Sequence, residues 1–242
     1  MSLLFEEIDS QASPLGEISL RRRRIPALGD RDIYEVKLGD EFLMSSMFVA
    51  AEEALSTLGL AATQGDELSV VVGGLGLGYT AVAALQDQRI NELLIVDALS
   101  TVIEWHQAEQ VPLGKILNAD SRSRYIHGSF FDLATAPLTG FDPHCDGKKF
   151  DAILLDIDHS PTEFLNPANA GFYCTEKLAM MAEQLKANGV FAMWSQNLPE
   201  QSFEALLKTV FASVESHVVS FYNPFQNREA TNSVYVCIKG DV

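Results

Sequence analysis

From Leu68 onward the chain alternates short, uninterrupted apolar runs with helix-forming stretches, and this alternation constrains its fold more than any other feature. The strong runs are LSVVV from Leu68, LLIVD from Leu93, FDAILLD from Phe150 and GVFAMW from Gly189. A weaker run covers residues 124–127, and residues 214–221 and 234–238 bring the candidate strands to seven. Helices are expected at residues 80–86, 101–107, 175–187 and 201–211. A strand that is apolar along its whole length buries both faces, as in a parallel sheet with helices packed on each side. The expected class is therefore α/β, and a chain of 242 residues, 47% of them hydrophobic, can bury such a core.

Residues 1–45 read differently. DIYEVKL from Asp32 alternates apolar and polar positions, and Gly29-Asp30 and Gly39-Asp40 are turn signals. A small antiparallel β-region is expected over residues 1–45, ahead of a larger domain over 46–242 that opens with a helix in SSMFVAAEEALSTLGL from Ser45. Arg21, Arg22, Arg23 and Arg24 read as a solvated edge strand that resists aggregation, in preference to an anion site.

Charge and cysteine usage limit the function. A formal net charge of −16 opposes binding to nucleic acid, whose phosphates it would repel. Cys145, Cys174 and Cys237 form no metal-type spacing and read as free thiols of a reducing compartment. No apolar run approaches the roughly 18 residues of a membrane span. MSLLFEEIDS carries acids where a secretion signal needs basic residues, so a cytoplasmic location is expected.

The first strong strand runs directly into Gly73-Gly74-Leu75-Gly76-Leu77-Gly78, with a helix expected from Thr80. Glycines at a strand–helix turn let the backbone approach a ligand closely, as in Rossmann-like nucleotide sites. Gly74, Gly76 and Gly78 are the candidate ligand-binding glycines. The next strand ends at Asp97, whose carboxylate can accept hydrogen bonds from ribose hydroxyls. The third leads into Gly128-Ser129-Phe130-Phe131-Asp132, where Asp132 could meet an adenine amino group. NAD is not excluded by this spacing, because a G-x-G-x-x-A register can be drawn from Gly76 to Ala81.

Together, VVGGLGLGYT, LLIVDALSTVIEW, the SFFD step, FDAILLDIDHSP and LKANGVFAMWS resemble the spermidine synthase-like branch of the S-adenosylmethionine-dependent transferases. The resemblance runs from about Phe42 to Val236. It implies a seven-stranded methyltransferase sheet and a bound S-adenosylmethionine or decarboxylated S-adenosylmethionine, without a metal. It also implies a small amine as second substrate, and a homodimer supported by the N-terminal β-region. The chain departs from the family at three places. The family's glycine loop carries an acid, whose place the resemblance gives to Leu77. The family's second strand ends E-I-D, against Asp97-Ala98-Leu99 here. Its D-S-S-D-P loop becomes Asp156-Ile157-Asp158-His159-Ser160-Pro161, with Asp156 at the first acid, His159 at the second, and Asp158 added.

Asp156 and Asp158 follow a strand end two residues apart, so both carboxylates are expected to face the pocket with His159 beside them. A carboxylate can orient an ammonium and accept its proton. The stretch TEFLNPANAGFY from Thr162 is a candidate lid, and Trp194, Ser195 and Gln196 are candidate wall residues. The expected activity is transfer of an aminopropyl or methyl group from the sulfonium nucleoside to a small amine. An NAD-dependent oxidoreductase and a non-catalytic nucleoside-binding module remain the alternatives.

Overall fold

The computed structural model describes residues 4–26, 31–136 and 138–241. The turn expected at Gly29-Asp30 lies outside them. Strands β1 (Phe5–Ser13), β2 (Gly16–Arg24), β3 (Asp32–Leu38) and β4 (Glu41–Ser45) form an antiparallel sheet in chain order. Its inner face puts Ile18, Leu20, Val36 and Leu38 into the core shared with the rest of the chain.

The arginines do not sit on an edge strand. β2 lies between β1 and β3, and its arginines meet acids across both ladders. Arg22 reaches Glu6 at 2.6 Å, Arg23 reaches Glu35 at 2.5 Å and Arg24 reaches Asp32 at 2.6 Å. Cross-strand charge pairing therefore explains the run.

Helix α1 (Ala50–Ala61) leads into β5 (Leu68–Gly73), α2 (Tyr79–Leu85), β6 (Ile90–Asp97), α3 (Ser100–Gln107), α4 (Gly114–Ala119) and β7 (Ser123–His127). Then follow α5 (Phe130–Ala134), β8 (Phe150–Leu155), a 3-10 turn (Pro167–Phe172), α6 (Thr175–Ala182), β9 (Leu185–Ser195) and α7 (Gln201–Leu207). The hairpin β10 (Ser213–Asn223) and β11 (Arg228–Ile238) ends the chain. The seven-stranded sheet has the order β10-β11-β9-β8-β5-β6-β7. All of its pairs are parallel except those made by β11.

Two helices are shorter than expected. Residues up to 187 read as helical, but Leu185 already pairs with Phe150 in the sheet and Asn188 turns at φ 57°. Strand burial overrides helix propensity there. Likewise α7 stops at Leu207 rather than 211.

Successive residues of each central strand enter opposite apolar layers. Val70, Val72, Ile95 and Leu154 pack with Leu55, Ala81 and Val102 on one face. Val71, Leu94, Val96 and Ile153 pack with Phe130, Leu178 and Phe203 on the other. This two-sided burial is why the runs lack alternation. From β5 the chain winds outward to β6 and β7, then returns to β8 and β9 on the other side. That reversal opens a crevice beyond the carboxyl ends of β5 and β8, where open α/β sheets hold ligands. Among the described residues no helix is long and apolar enough to cross a membrane.

Candidate active site

The crevice is a cavity of about 420 Å³. The glycine turn after β5 forms one wall. Gly74 takes φ +96°, and a Cβ there would lie 2.0 Å from the Asp156 carbonyl oxygen. Only glycine allows the β5 and β8 loops to approach this closely. Their contact is sealed by the Asp156 N–H donating to the Gly73 carbonyl at 2.8 Å. Gly76 also faces the cavity, with φ +47°. Gly78 does not. It sits at the N-cap of α2, where its α-carbon packs against His106 and Leu117.

Asp97, at the end of β6, opens onto the cavity. Its two oxygens accept the Leu75 N–H at 2.9 Å and the Leu99 N–H at 2.8 Å. Burial raises its pKa against these backbone donors. A carboxylate has about four acceptor sites, so capacity remains for ribose hydroxyls. Asp132 lines the same cavity from α5, with Ser129, Phe130 and Phe131 beside it. Asp97 and Asp132 thus face one space together with Gly74 and Gly76.

Asp156 lines the cavity, and Asp158 does not. Asp158 is 1% exposed and turned into its own loop. Its carboxylate accepts the Leu165 N–H and the Asn169 amide, both at 2.8 Å, and the Tyr173 hydroxyl at 2.7 Å. The chain leaves strand geometry after Leu155, so a spacing of two no longer means a shared face. Asp158 instead organises the segment that brings Leu165, Asn166, Ala168 and Asn169 to the cavity. His159 does reach the cavity, and its Nε2 lies 2.7 Å from a Glu41 carboxylate oxygen in β4. Trp194 is a wall residue, whereas Ser195, Gln196 and Tyr173 are not.

Leu77 is fully buried in the core beneath the loop, and its N–H points to the Met44 sulfur at 2.9 Å. It does not line the cavity. The acid that faces the cavity near Asp156 comes from elsewhere. Glu52, in the first turn of α1, is a wall residue that the sequence reading missed. Its signal was faint. It lies four residues before the buried Ser56, hence on the same face of the helix, but nothing distinguished it from Glu53.

Burial and the Asp156 charge push the Glu52 pKa up to about 8. Burial pushes Asp156 up to about 6, while the Thr80 hydroxyl, donating at 2.5 Å, opposes the rise. Two carboxylates in one enclosed space resist ionising together. The small sheet completes the enclosure, with Leu15, Val36, Leu43 and Met44 forming a roof.

No protein-family model matches the sequence, and no curated protein matches it. Solved structures do match. The spermidine synthase of Thermotoga maritima superposes with a TM-score of 0.72 at 16% identity, over 98% of this chain and 74% of that one. A spermidine synthase in complex with the transition-state analogue AdoDATO gives the same TM-score at 17% identity, over the same shares of the two chains. The chain has the spermidine synthase fold, from the antiparallel N-terminal sheet to the seven-stranded one.

Proposed function

We propose that this protein transfers an alkyl group from a sulfonium nucleoside to a small amine, and that the group is aminopropyl. One observation carries the reading. Glu52, Asp97, Asp132 and Asp156 line the cavity, and among the described residues no lysine or arginine does. Such a wall favours cationic ligands and opposes anionic ones. It disfavours NAD, whose pyrophosphate would enter without a cationic partner. It also distinguishes the two donors. The α-carboxylate of ordinary S-adenosylmethionine would enter beside acids, whereas the decarboxylated donor presents only an ammonium.

In this reading Gly74 and Gly76 let the nucleoside approach the backbone, Asp97 takes the ribose hydroxyls and Asp132 meets the adenine edge. The nucleoside supplies a carbon already activated by its positive sulfur. The protein's task is then mainly positioning. Asp156 orients the acceptor ammonium and receives its proton, for which a carboxylate pKa of about 6 is well placed. Thr80 fixes the Asp156 carboxylate from behind. His159, tied to Glu41, borders the same space. The fold shared with spermidine synthases supports this assignment.

The test is a calorimetric titration of decarboxylated S-adenosylmethionine, S-adenosylmethionine and NADH into the protein. The decarboxylated donor is expected to bind at least about tenfold more tightly than S-adenosylmethionine, a difference of about 1.4 kcal/mol. Tighter binding of S-adenosylmethionine would turn the reading towards methyl transfer. Binding of NADH alone would overturn it.

A further inference from the structure

Helix α1 contributes more to the cavity than a wall. Its Ser56 hydroxyl donates to the Thr80 carbonyl at 2.6 Å, and the Thr80 hydroxyl donates to Asp156 at 2.5 Å. This chain of bonds fixes α1 against α2 and both against the β8 loop. Glu52 lies one helical turn before Ser56 on the same face, so the same clamp brings its carboxylate to the cavity. The first-turn N–H groups of Ala51 and Glu52 lower its pKa, against the rise caused by burial. Around it stand the apolar or aromatic walls of Leu43, Met44, Tyr79 and Trp194.

We infer that Glu52 is a substrate-contacting specificity residue, which with Asp156 forms a paired seat for an ammonium of the acceptor amine and releases a proton when that ammonium arrives. The inference rests on the reading of the cavity as an amine site, and it adds a second acid and a proton balance to it.

The groups around Glu52 are mostly acidic or neutral, with Arg31 acting on Tyr79 and His159 at the border as the basic ones. Asp156 faces it from the β8 loop, Glu53 is its neighbour on α1, and Tyr79 reaches the same space from α2. Asp97 and Asp132 lie along the cavity, and His159 borders it with Glu41 as its partner. Without a cation the pair keeps a proton near neutral pH, because burial and mutual repulsion penalise the doubly ionised state. An ammonium between the two carboxylates removes that penalty. The pair then ionises fully, and its proton passes to the solvent while the amine keeps its own until transfer.

The test titrates 1,4-diaminobutane into the protein near neutral pH in buffers of different ionisation enthalpy. Titrations are run with and without a saturating thioether nucleoside, 5′-methylthioadenosine. The wild type is expected to release close to about one proton per diamine bound. Glu52→Gln is expected to release almost none and to bind the diamine about tenfold or more weakly, with nucleoside affinity unchanged. Glu53→Gln, altered at an exposed neighbouring position, is expected to behave as wild type. Diamine binding without proton release, or equal binding and release in Glu52→Gln, overturns the inference. So does absence of diamine binding by the wild type under both conditions. Failure of the nucleoside to bind, with diamine binding and proton release intact, removes the transferase reading and leaves the seat standing.

Discussion

The indole Nε1 of Trp105 in α3 donates to Asp9 Oδ2 in β1 at 2.7 Å, and this bond ties the small N-terminal sheet to the seven-stranded body. Thr101 and Gln11 add a second bond beside it at 3.2 Å. Because that sheet roofs the cavity, its anchoring also bears on ligand affinity.

Asp9→Asn tests this link. The indole hydrogen bond is the largest influence holding the Asp9 carboxylate below its usual pKa. The amide keeps the shape but weakens the charge-assisted bond, at a cost of about 1 kcal/mol. The expected result is a small loss in unfolding free energy by denaturant titration, with a weaker nucleoside affinity. A loss of stability with unchanged affinity would separate the anchor from the site.

Asp158→Ala is expected to act through the loop. Three donors, from Leu165, Asn169 and Tyr173, would lose one buried acceptor together. Buried donors left without a partner cost about 1–3 kcal/mol each, so the loop should loosen before the sheet does. Hydrogen exchange should speed up across residues 162–173 while β5 and β8 stay protected. Equal protection in the variant would show that the stacked Phe164 and Tyr173 rings hold the loop without Asp158.

Most of the scaffold was legible in the sequence, and the reason is physical. Two-sided burial writes itself as continuous apolar runs, so the strands around Val71, Ile95, Ile153 and Phe191 could be read without ambiguity. Asp97 and Asp156 were legible because strand ends in an open sheet have a fixed relation to the crevice. Asp158 and Gly78 were misplaced for the complementary reason. Beyond the strand end the backbone loses its period, and spacing alone no longer fixes direction. Glu52, Met44 and Leu15 were invisible as wall residues because their place depends on how α1 and the small sheet dock, which no local pattern encodes. The inner position of β2 was hidden likewise, since pairing with Glu6 and Glu35 is a long-range fact.

Asp97→Asn should weaken nucleoside binding by about 1–3 kcal/mol. It should also destabilise the fold, because the carboxylate serves the Leu75 and Leu99 N–H groups as well as the cavity. An amide can present only one oxygen, so one of these donors would face an NH2 group. Calorimetry and thermal unfolding should therefore move together. A large affinity loss with an unchanged melting temperature would mean that the backbone bonds contribute little to the loop.

The dependence of stability on pH offers a last test, with a sign set by the cavity acids. Glu52 and Asp156 titrate at about 8 and about 6 in the fold, against about 4 in an unfolded chain. Between about pH 4 and pH 8 these two groups thus bind more protons in the folded protein than in the unfolded one. Stability is fully present below that window and falls as pH rises through it. Asp142 has the opposite sign, but its pKa is held down to about 2 by Arg124, so its contribution is lost only in stronger acid. The two windows meet at about pH 4 to 5, where these carboxylates together favour the fold most, while His106, whose pKa burial lowers, partly offsets the fall above it. From there towards pH 8 stability should fall in the ligand-free protein. Glu52→Gln, which carries no charge at any pH, should flatten much of that slope, and a bound diamine should do the same. An unchanged slope in Glu52→Gln would show that Glu52 titrates alike in the folded and the unfolded chain, and its burial in the cavity would then carry no energetic cost.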